Sequence, residues 1–533
     1  MKRYYLSLLI VLLGIAHHSY AQKEQDSEPI FLQTGMQEVA LDLPSESFSN
    51  LILLLHIELN EDCLFESEEY LSLKLDNDDA SAEIKKIEFA RIYLPSYNVN
   101  SVYHNVIEYR FDLTLWQKLL QHHSSISVYY KSKVNGLKLS ISCEFEAGDP
   151  PVDVVGIFPL WESDPEGFPY GKDGVDKEYL PTRELSLPEN THSAFVSILV
   201  SGVKQKHASK ASSRFYFLSI NGKEIGKRSI WREDCGLNPI FPQHEHWYEN
   251  NHNWCPGLRV NPLLHRLDEA VLQDKKLSLD LRFQQDINRT SGVKSYITSA
   301  VLFALAEPTK DINISISEII APNTNLWHHR YNPICGNPII LIQNNGKEIA
   351  ESITFNYGYN YQTDNKFRWQ GSLGYMEQEI VYLPPPNWYF YDNDDEPQTF
   401  TVHVSGVNGE EKHIAGGKKT SSMALAQVYP GKLIFEVHTD DEAEYNGMEI
   451  YNEFDELVFA NASLQNNDLY KFEMELSPGC YEVIFYDAQG NGVRLDDASE
   501  ACLIIRDQLT DAVLNEYHGD FGIEIREQFM ILK

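Results

Sequence analysis

The chain has 533 residues, and its 44 Lys and Arg stand against 78 Asp and Glu for a formal charge of -34. A surface that acidic repels phosphate backbones, which excludes nucleic acid as a natural partner. The length exceeds what one core serves at roughly 100–200 residues per domain, so several domains are expected. Thirty Tyr and 25 Phe among frequent Gly and Pro turns point to strands.

In chain order, Met1-Lys2-Arg3, the apolar run Leu6 to Ala16 and Ser19-Tyr20-Ala21 have the layout of a cleavable secretory signal over 1–21. Cleavage before Gln22 removes Lys2 and Arg3, taking the charge from -34 to -36. No later stretch reaches the roughly 20 apolar residues that a membrane helix needs. The expectation is a protein without a membrane span, secreted, periplasmic or associated with the cell surface.

Residues 22–148 carry "NLILLLHIEL", "EYLSLKLD", "KKIEFARIYL", "SISVYYKS" and "LKLSISCEFE", several alternating with period two as half-buried strands do. "LTLWQKLLQ" predicts one short helix, and Pro150-Pro151 marks a boundary. Residues 149–308 repeat the rhythm in "VDVVGIFPLW", "HSAFVSILVSG", "SRFYFLSINGKEI", "KLSLDLRFQQ" and "SYITSAVLFALAEP", with "INGKEI" reading as a hairpin turn. Residues 309–418 have the strand spacing of a small sandwich, and 419–533 form a last strand set.

All seven cysteines lie beyond the signal, in a setting where disulfides persist. Cys235 with Cys255, and Cys480 with Cys502, are the natural local pairs, each closing a compact loop between strand-like segments. Cys63, Cys143 and Cys335 have no evident partners.

The stretch "FPQHEHWYENNHNWCPG" (241–257) packs three His, two Glu and two Trp ahead of Cys255. It reads as a metal site, a sugar-binding wall or a plain cystine-closed loop. His244 and His246, two apart, would share one side of a strand, with His252 as a third ligand. Histidine-rich surface loops are commoner than metal sites, and no metal is expected here.

"GIFPLWESDPEGFPYGKD", "SINGKEI", "CGLNPI", "NWCPG" and "LSLDLRFQQDINRTSGVKSYITSAVLFALA" occur in the order and spacing of the secreted bacterial peptide-N-glycosidase F family. The resemblance covers roughly residues 40–308. It implies an all-β fold of two side-by-side eight-stranded antiparallel jelly rolls, here followed by two smaller β-sandwich modules. It also implies hydrolysis, without metal or other cofactor, of the amide between asparagine and N-acetylglucosamine, so that N-glycosylated proteins or glycopeptides are the partners. The resemblance further implies a Cys235–Cys255 disulfide and places Trp254 at the border of the glycan cleft.

Such hydrolysis needs a base to activate water, a proton donor for the leaving amine and groups that hold the sugar. The family uses carboxylates for these roles. The match puts Glu68 on the first acid and Glu69 on its neighbouring arginine, with Glu66 as the next candidate for the first position. The second acid becomes Lys131 and its nearby tryptophan Lys133, while Lys210 stands at the third acid. Trp161 and Tyr97 lie near segments that flank the family's cleft, where aromatic faces suit sugar stacking.

The tail word "NISISEI" with "NPIILIQNNGKEIAESITFNY" resembles immunoglobulin-like modules appended to secreted Bacteroidetes enzymes. "LSPGCYEVIFYDAQGNGV" resembles another appended β-module, in which Asp487, Asn491, Asp496 and Asp497 serve either a calcium ion or the backbone needs of a turn. Three functions follow: an N-glycan amidase using Glu68, a glycan- or glycoprotein-binding protein on a degenerate amidase fold, and a copper oxidoreductase of the related architecture. The last lacks a metal spacing among His56, His104, His122 and His123.

Overall fold

The computed structural model describes residues 22–23, 29–41, 43, 46–59, 65, 68–77, 79, 82–95, 106–120, 125–170, 175–204, 215–241, 243, 247–248, 252–284, 293–360, 362–388, 398–411, 417–495 and 500–532. The first sandwich uses β1 (Ile30–Leu32), β2 (Gly35–Ala40), β3 (Phe48–Glu58), β4 (Tyr70–Asp76), β5 (Lys86–Tyr93), β6 (Val106–Asp112), β7 (Ser125–Lys131) and β8 (Leu137–Ala147). One sheet runs β1-β8-β3-β6 and the other β2-β7-β4-β5. In that order sequence neighbours alternate between sheets except at the β4–β5 hairpin, and the first strand lies beside the last, which is the jelly-roll winding. The short pair Gln22–Lys23 extends β8.

The second sandwich repeats the winding with β9 (Val154–Glu162), β10 (Arg183–Ser186), β11 (Ser193–Lys204), β12 (Phe215–Ile220), β13 (Lys223–Ser229), β14 (Leu263–Arg266), β15 (Lys276–Phe283) and β16 (Val293–Leu305). Its sheets are β9-β16-β11-β14 and β10-β15-β12-β13. Alternation drives the burial. Along β6, Ile107, Tyr109 and Phe111 point into the first core, and along β15, Leu277, Leu279, Leu281 and Phe283 point into the second. Each fully buried side chain of this kind is worth about 1.5–3 kcal/mol. Asn221 and Gly222, both with positive φ (50° and 77°), close the β12–β13 hairpin as the "ING" word predicts.

The predicted helix in "LTLWQKLLQ" is a 3-10 turn at Thr114–Trp116 continued by Gln117–Leu120. A third sandwich sets Ile314–Ala321, Ile339–Asn344 and Gln378–Tyr382 against a sheet built on Ala350–Tyr359 and Thr399–Val407. The fourth packs five strands around Gly479–Asp487 against four around Lys432–His438. No helix among the described residues is long and apolar enough to cross a membrane.

The two rolls meet through β5. Its backbone bonds continue into the segment after Cys255: Gly257 N–H donates to Tyr93 O (3.0 Å), Tyr93 N–H to Leu258 O (3.2 Å) and Val260 N–H to Arg91 O (2.8 Å). The second roll thereby covers the open edge of the first roll's sheet, an edge that would otherwise invite pairing with another chain.

Candidate functional site

The start of β4 carries the first motif. Glu68, half-buried, sits at φ 74°, in the left-handed region that a residue with a β-carbon seldom adopts. This turns the chain so that the next two side chains go inward. Glu69 is buried, and its Oε1 accepts the Lys133 N–H at 2.8 Å, while its carbonyl accepts the Leu94 N–H at 2.9 Å. Tyr70 is buried and donates its hydroxyl to Pro165 O at 2.9 Å. Burial pushes the Tyr70 phenol far above its ordinary value, so it stays neutral.

Lys131, at the end of β7, pairs in register with Tyr70. Its ammonium lies 2.9 Å from Glu166 Oε1 and 5.6 Å from the Tyr70 ring centre. The partner carboxylate comes from the turn 164–167, closed by the Gly167 N–H to Asp164 O bond (2.7 Å). Gly167 has φ 72°, and a β-carbon there would lie 2.5 Å from Tyr296 O. The "DPEG" word thus serves backbone shape, and that shape brings Glu166 to the second motif position.

Behind this face the rolls share a fully buried ion pair. Arg91 meets Glu88 along one guanidinium edge, Nε donating to Oε1 (3.0 Å) and Nη2 to Oε2 (2.5 Å), and its Nη1 also donates to Ser201 Oγ (2.8 Å) and Ile297 O (2.9 Å) of the second roll. Ser299 Oγ donates to Glu88 Oε2 at 2.5 Å. Burial pushes the Glu88 carboxyl up, but the Arg91 charge and hydrogen bonds outweigh it and hold the pKa below its usual range. Lys74 ion-pairs with Glu162 beside them, and burial still raises the Glu162 carboxyl.

The aromatic candidates face inward. Trp254 is 1% exposed, stacks on Tyr93 with centroids 3.9 Å apart and donates its indole N–H to Gly202 O at 2.8 Å. Trp161 is equally buried and donates to Pro181 O at 2.8 Å. Neither offers a ring face to a sugar in this conformation. Tyr97, Glu66 and Lys210 lie outside the described residues, as do Cys63, His104, His122, His123, His244 and His246.

The candidate histidines that are described, His56 and His252, and Asp487 have local partners. His56 Nε2 lies 2.9 Å from Glu108, and His252 is buried with its β-carbon against Gly202. Asp487 accepts the N–H groups of Asn491 (2.8 Å) and Gly492 (3.1 Å), the turn reading of that motif. Asp496 and Asp497 are outside the described residues. Among the described residues no group of three or more His, Cys, Asp or Glu is placed to hold a metal ion.

Cys235 and Cys255 are bonded, with Cα atoms 5.5 Å apart. The loop they close is a docking surface for the rest of the chain, a role the sequence reading missed. Trp247 is 1% exposed and donates its indole N–H to Asp520 Oδ1 at 2.7 Å. Arg494 donates to Tyr248 Oη at 2.9 Å, and the Ile523 N–H donates to Gly236 O at 3.0 Å. Arg330 of the third sandwich lies 4.3 Å over the Phe241 ring and donates to Asn238 O (2.9 Å), Phe521 O (2.9 Å) and Glu524 O (2.6 Å).

The second cysteine expectation is corrected. Cys480 bonds Cys335, with Cα atoms 5.7 Å apart, and Cys502 is a buried free thiol. Cys480 belongs to the core of the third sandwich and Cys502 to that of the fourth, so the two side chains enter different cores. Cys143 is buried in the core of the first roll.

No family model matches the chain, and no curated protein does. Solved structures align over about half of it. One titled as a peptide-N(4)-(N-acetyl-β-D-glucosaminyl)asparagine amidase is 19% identical, covering 53% of this chain and 96% of its own, with a TM-score of 0.44. PNGase F, a glycosylasparaginase from Flavobacterium meningosepticum, is 18% identical over the same shares, with a TM-score of 0.44. PNGF-II is 14% identical, covering 52% of this chain and 62% of its own, with a TM-score of 0.40. The jelly-roll assignment rests on the strand order within each roll.

Proposed function

We propose that the protein hydrolyses the amide between asparagine and N-acetylglucosamine of N-glycosylated proteins, using Glu68 as the base. The observation that carries this reading is the backbone of Glu68, held at φ 74° at the position that resembles the family's first acid. Such a conformation costs about 1–3 kcal/mol and persists where the surroundings enforce it, most often at working sites. Here Glu69 and Tyr70 are anchored inward, while Glu68 stays half-exposed. Glu68 would take a proton from water as its oxygen attacks the amide carbon. The C–N bond then breaks, the glycosylamine leaves with a proton, and aspartate remains. Lys131, fixed by Glu166, supplies positive charge toward the oxyanion that develops.

Export under the segment 1–21 agrees with the two disulfides, which persist in oxidising compartments. A second reading, glycan binding without hydrolysis, is favoured by the Lys131–Glu166 pair, which neutralises an acid near the motif, and by the burial of Trp254. Incubation with a denatured N-glycoprotein, read by mass spectrometry for asparagine turned to aspartate, separates the two. Conversion at least a hundredfold slower in Glu68→Gln, with an unchanged melting temperature, is the expected result. No conversion by the parent protein, with saturable glycopeptide binding, would replace it with the binding reading.

A further inference from the structure

The sheet β2-β7-β4-β5 turns its outer face to the second roll, and only part of that face is covered. Along β7, Ile126, Val128 and Tyr130 enter the first core, so Ser127, Tyr129 and Lys131 lie on the outer face. Register extends that face across the sheet: on β4, Tyr70 opposes Lys131, Ser72 opposes Tyr129 and Lys74 opposes Ser127. On the outermost strand β2, Met36 opposes Tyr129 and Glu38 opposes Ser127. Tyr70 and Ser72 are buried, whereas Tyr129 is half-buried and Met36 is 44% exposed. The cover therefore ends between β4 and β7, and β7 with β2 forms an open shelf.

Two ion pairs cross from roll to roll along the margin of this shelf, Lys131 with Glu166 and Lys74 with Glu162. Their lysines stand one rung to either side of the rung Ser72–Tyr129–Met36, so the pairs bracket it. Inside the bracket the Tyr129 ring leans on Tyr70, with centroids 6.2 Å apart, and packs on the cluster that holds Tyr93 and Trp254. Ser72 is 3% exposed, and among the described residues its hydroxyl has no hydrogen-bond partner. A third cation, Lys86, bonds Glu38 (3.0 Å), Asp76 (2.8 Å) and Ser127 Oγ (2.6 Å) at the lower end.

Three ammonium groups thus face four carboxylates, which leaves the shelf close to neutral. An apolar middle, made by the Tyr129 ring and Met36, is rimmed by donors and acceptors of both kinds. That combination suits a neutral, hydroxyl-rich ring with one apolar face, and selects against a strongly charged ligand. Glu68 lies four residues before Ser72, just ahead of the same strand, so the shelf opens beside the proposed base.

We propose that Tyr129 is the stacking residue that holds the sugar of the substrate. A neutral pyranose lies on its ring, with Met36 at the outer edge and hydroxyl groups between the Lys131–Glu166 and Lys74–Glu162 pairs. The identity of that sugar as N-acetylglucosamine rests on the amidase reading; the shelf itself does not.

Titration of the full mature chain with N,N′-diacetylchitobiose, followed by calorimetry and saturation-transfer NMR, tests it, with the acidic hyaluronan disaccharide as contrast. The neutral disaccharide is expected to bind with Kd of about 1 mM or tighter. Its affinity should fall about tenfold or more in Tyr129→Ala and about threefold in Met36→Gln, and stay within about twofold of the parent in Tyr129→Phe, which keeps the ring. Melting curves identify any variant that fails to fold, and Met36 is exposed on the outermost strand, so its variant stays informative if Tyr129→Ala unfolds. Where the parent turns asparagine to aspartate, Tyr129→Ala should raise KM and spare kcat, as loss of uniform binding does. Tyr129-dependent binding by a parent without amidase activity would end the amidase reading and keep the shelf. Amidase activity with affinity and KM unchanged in both Tyr129→Ala and Met36→Gln would end the shelf and keep that reading. No saturable binding, or the acidic disaccharide binding as tightly as the neutral one, would also overturn the proposal.

Discussion

Trp247 and Trp254 belong to one cystine-closed loop and serve opposite seams. Trp254 goes inward to the contact between the rolls, where it stacks on Tyr93 beside the buried Glu88–Arg91 pair. Trp247 goes outward to the fourth sandwich, where its hydrogen bond to Asp520, the Arg494–Tyr248 and Ile523–Gly236 bonds and the Arg330 guanidinium's bonds to backbone carbonyls do the joining. The inner seam holds a buried carboxylate–guanidinium pair, whereas the outer one buries the Trp247 ring and an Arg330 whose guanidinium bonds to backbone carbonyls. A defect in the first should therefore cost far more than a defect in the second. The aromatic residues Phe241, Trp247 and Trp254 of this loop pack between units, as large amphipathic side chains do at interfaces.

Five measurements sharpen that contrast, each by chemical or thermal unfolding unless stated. Arg91→Met strands the Glu88 carboxylate in the inner seam and is expected to cost about 3–5 kcal/mol. Cys335→Ser opens the link between the third and fourth sandwiches and is expected to cost about 4 kcal/mol, with the rolls' own unfolding unchanged. Peptide mapping should recover Cys335 joined to Cys480, and Cys502 alkylated only after unfolding, since burial drives its thiol pKa up.

The interior of the second roll gives a reference away from both seams. There burial lowers the buried His265, hydrogen-bonded to Tyr216 Oη (2.6 Å), to about 4 from 6.5. A depressed histidine contributes stability that is present above pH 6.5 and is lost as pH falls through about 4, here roughly 3 kcal/mol. His265→Gln should flatten that dependence. The smallest effect belongs to the outer seam: Trp247→Phe removes the bond to Asp520 and should cost about 1 kcal/mol. An equal or larger loss than in Arg91→Met would reverse the ranking of the seams.

Much of the fold was legible because it is written locally. Period-two alternation in β6 and β15, the Asn221-Gly222 turn and the strand spacing each follow from neighbouring residues. The candidate site was legible only as a list of positions. Glu69 and Lys131 look alike as charged residues near a tyrosine, yet one is locked onto a backbone N–H and the other onto Glu166, 35 positions along the chain. The partner of Cys480 depends on which sandwich its side chain enters, a property of packing between units and not of loop length. The orientation of Trp254 depends on β5 accepting the segment after Cys255 as a neighbour, which nothing within that segment announces.

The bond between Cys335 and Cys480 has a further bearing on how the molecule withstands proteolysis. A protease that severed the chain anywhere between those two residues would cut the polypeptide without freeing either product. The break would show on a gel only after reduction, and the third and fourth sandwiches would stay tethered, able to close again over the wound.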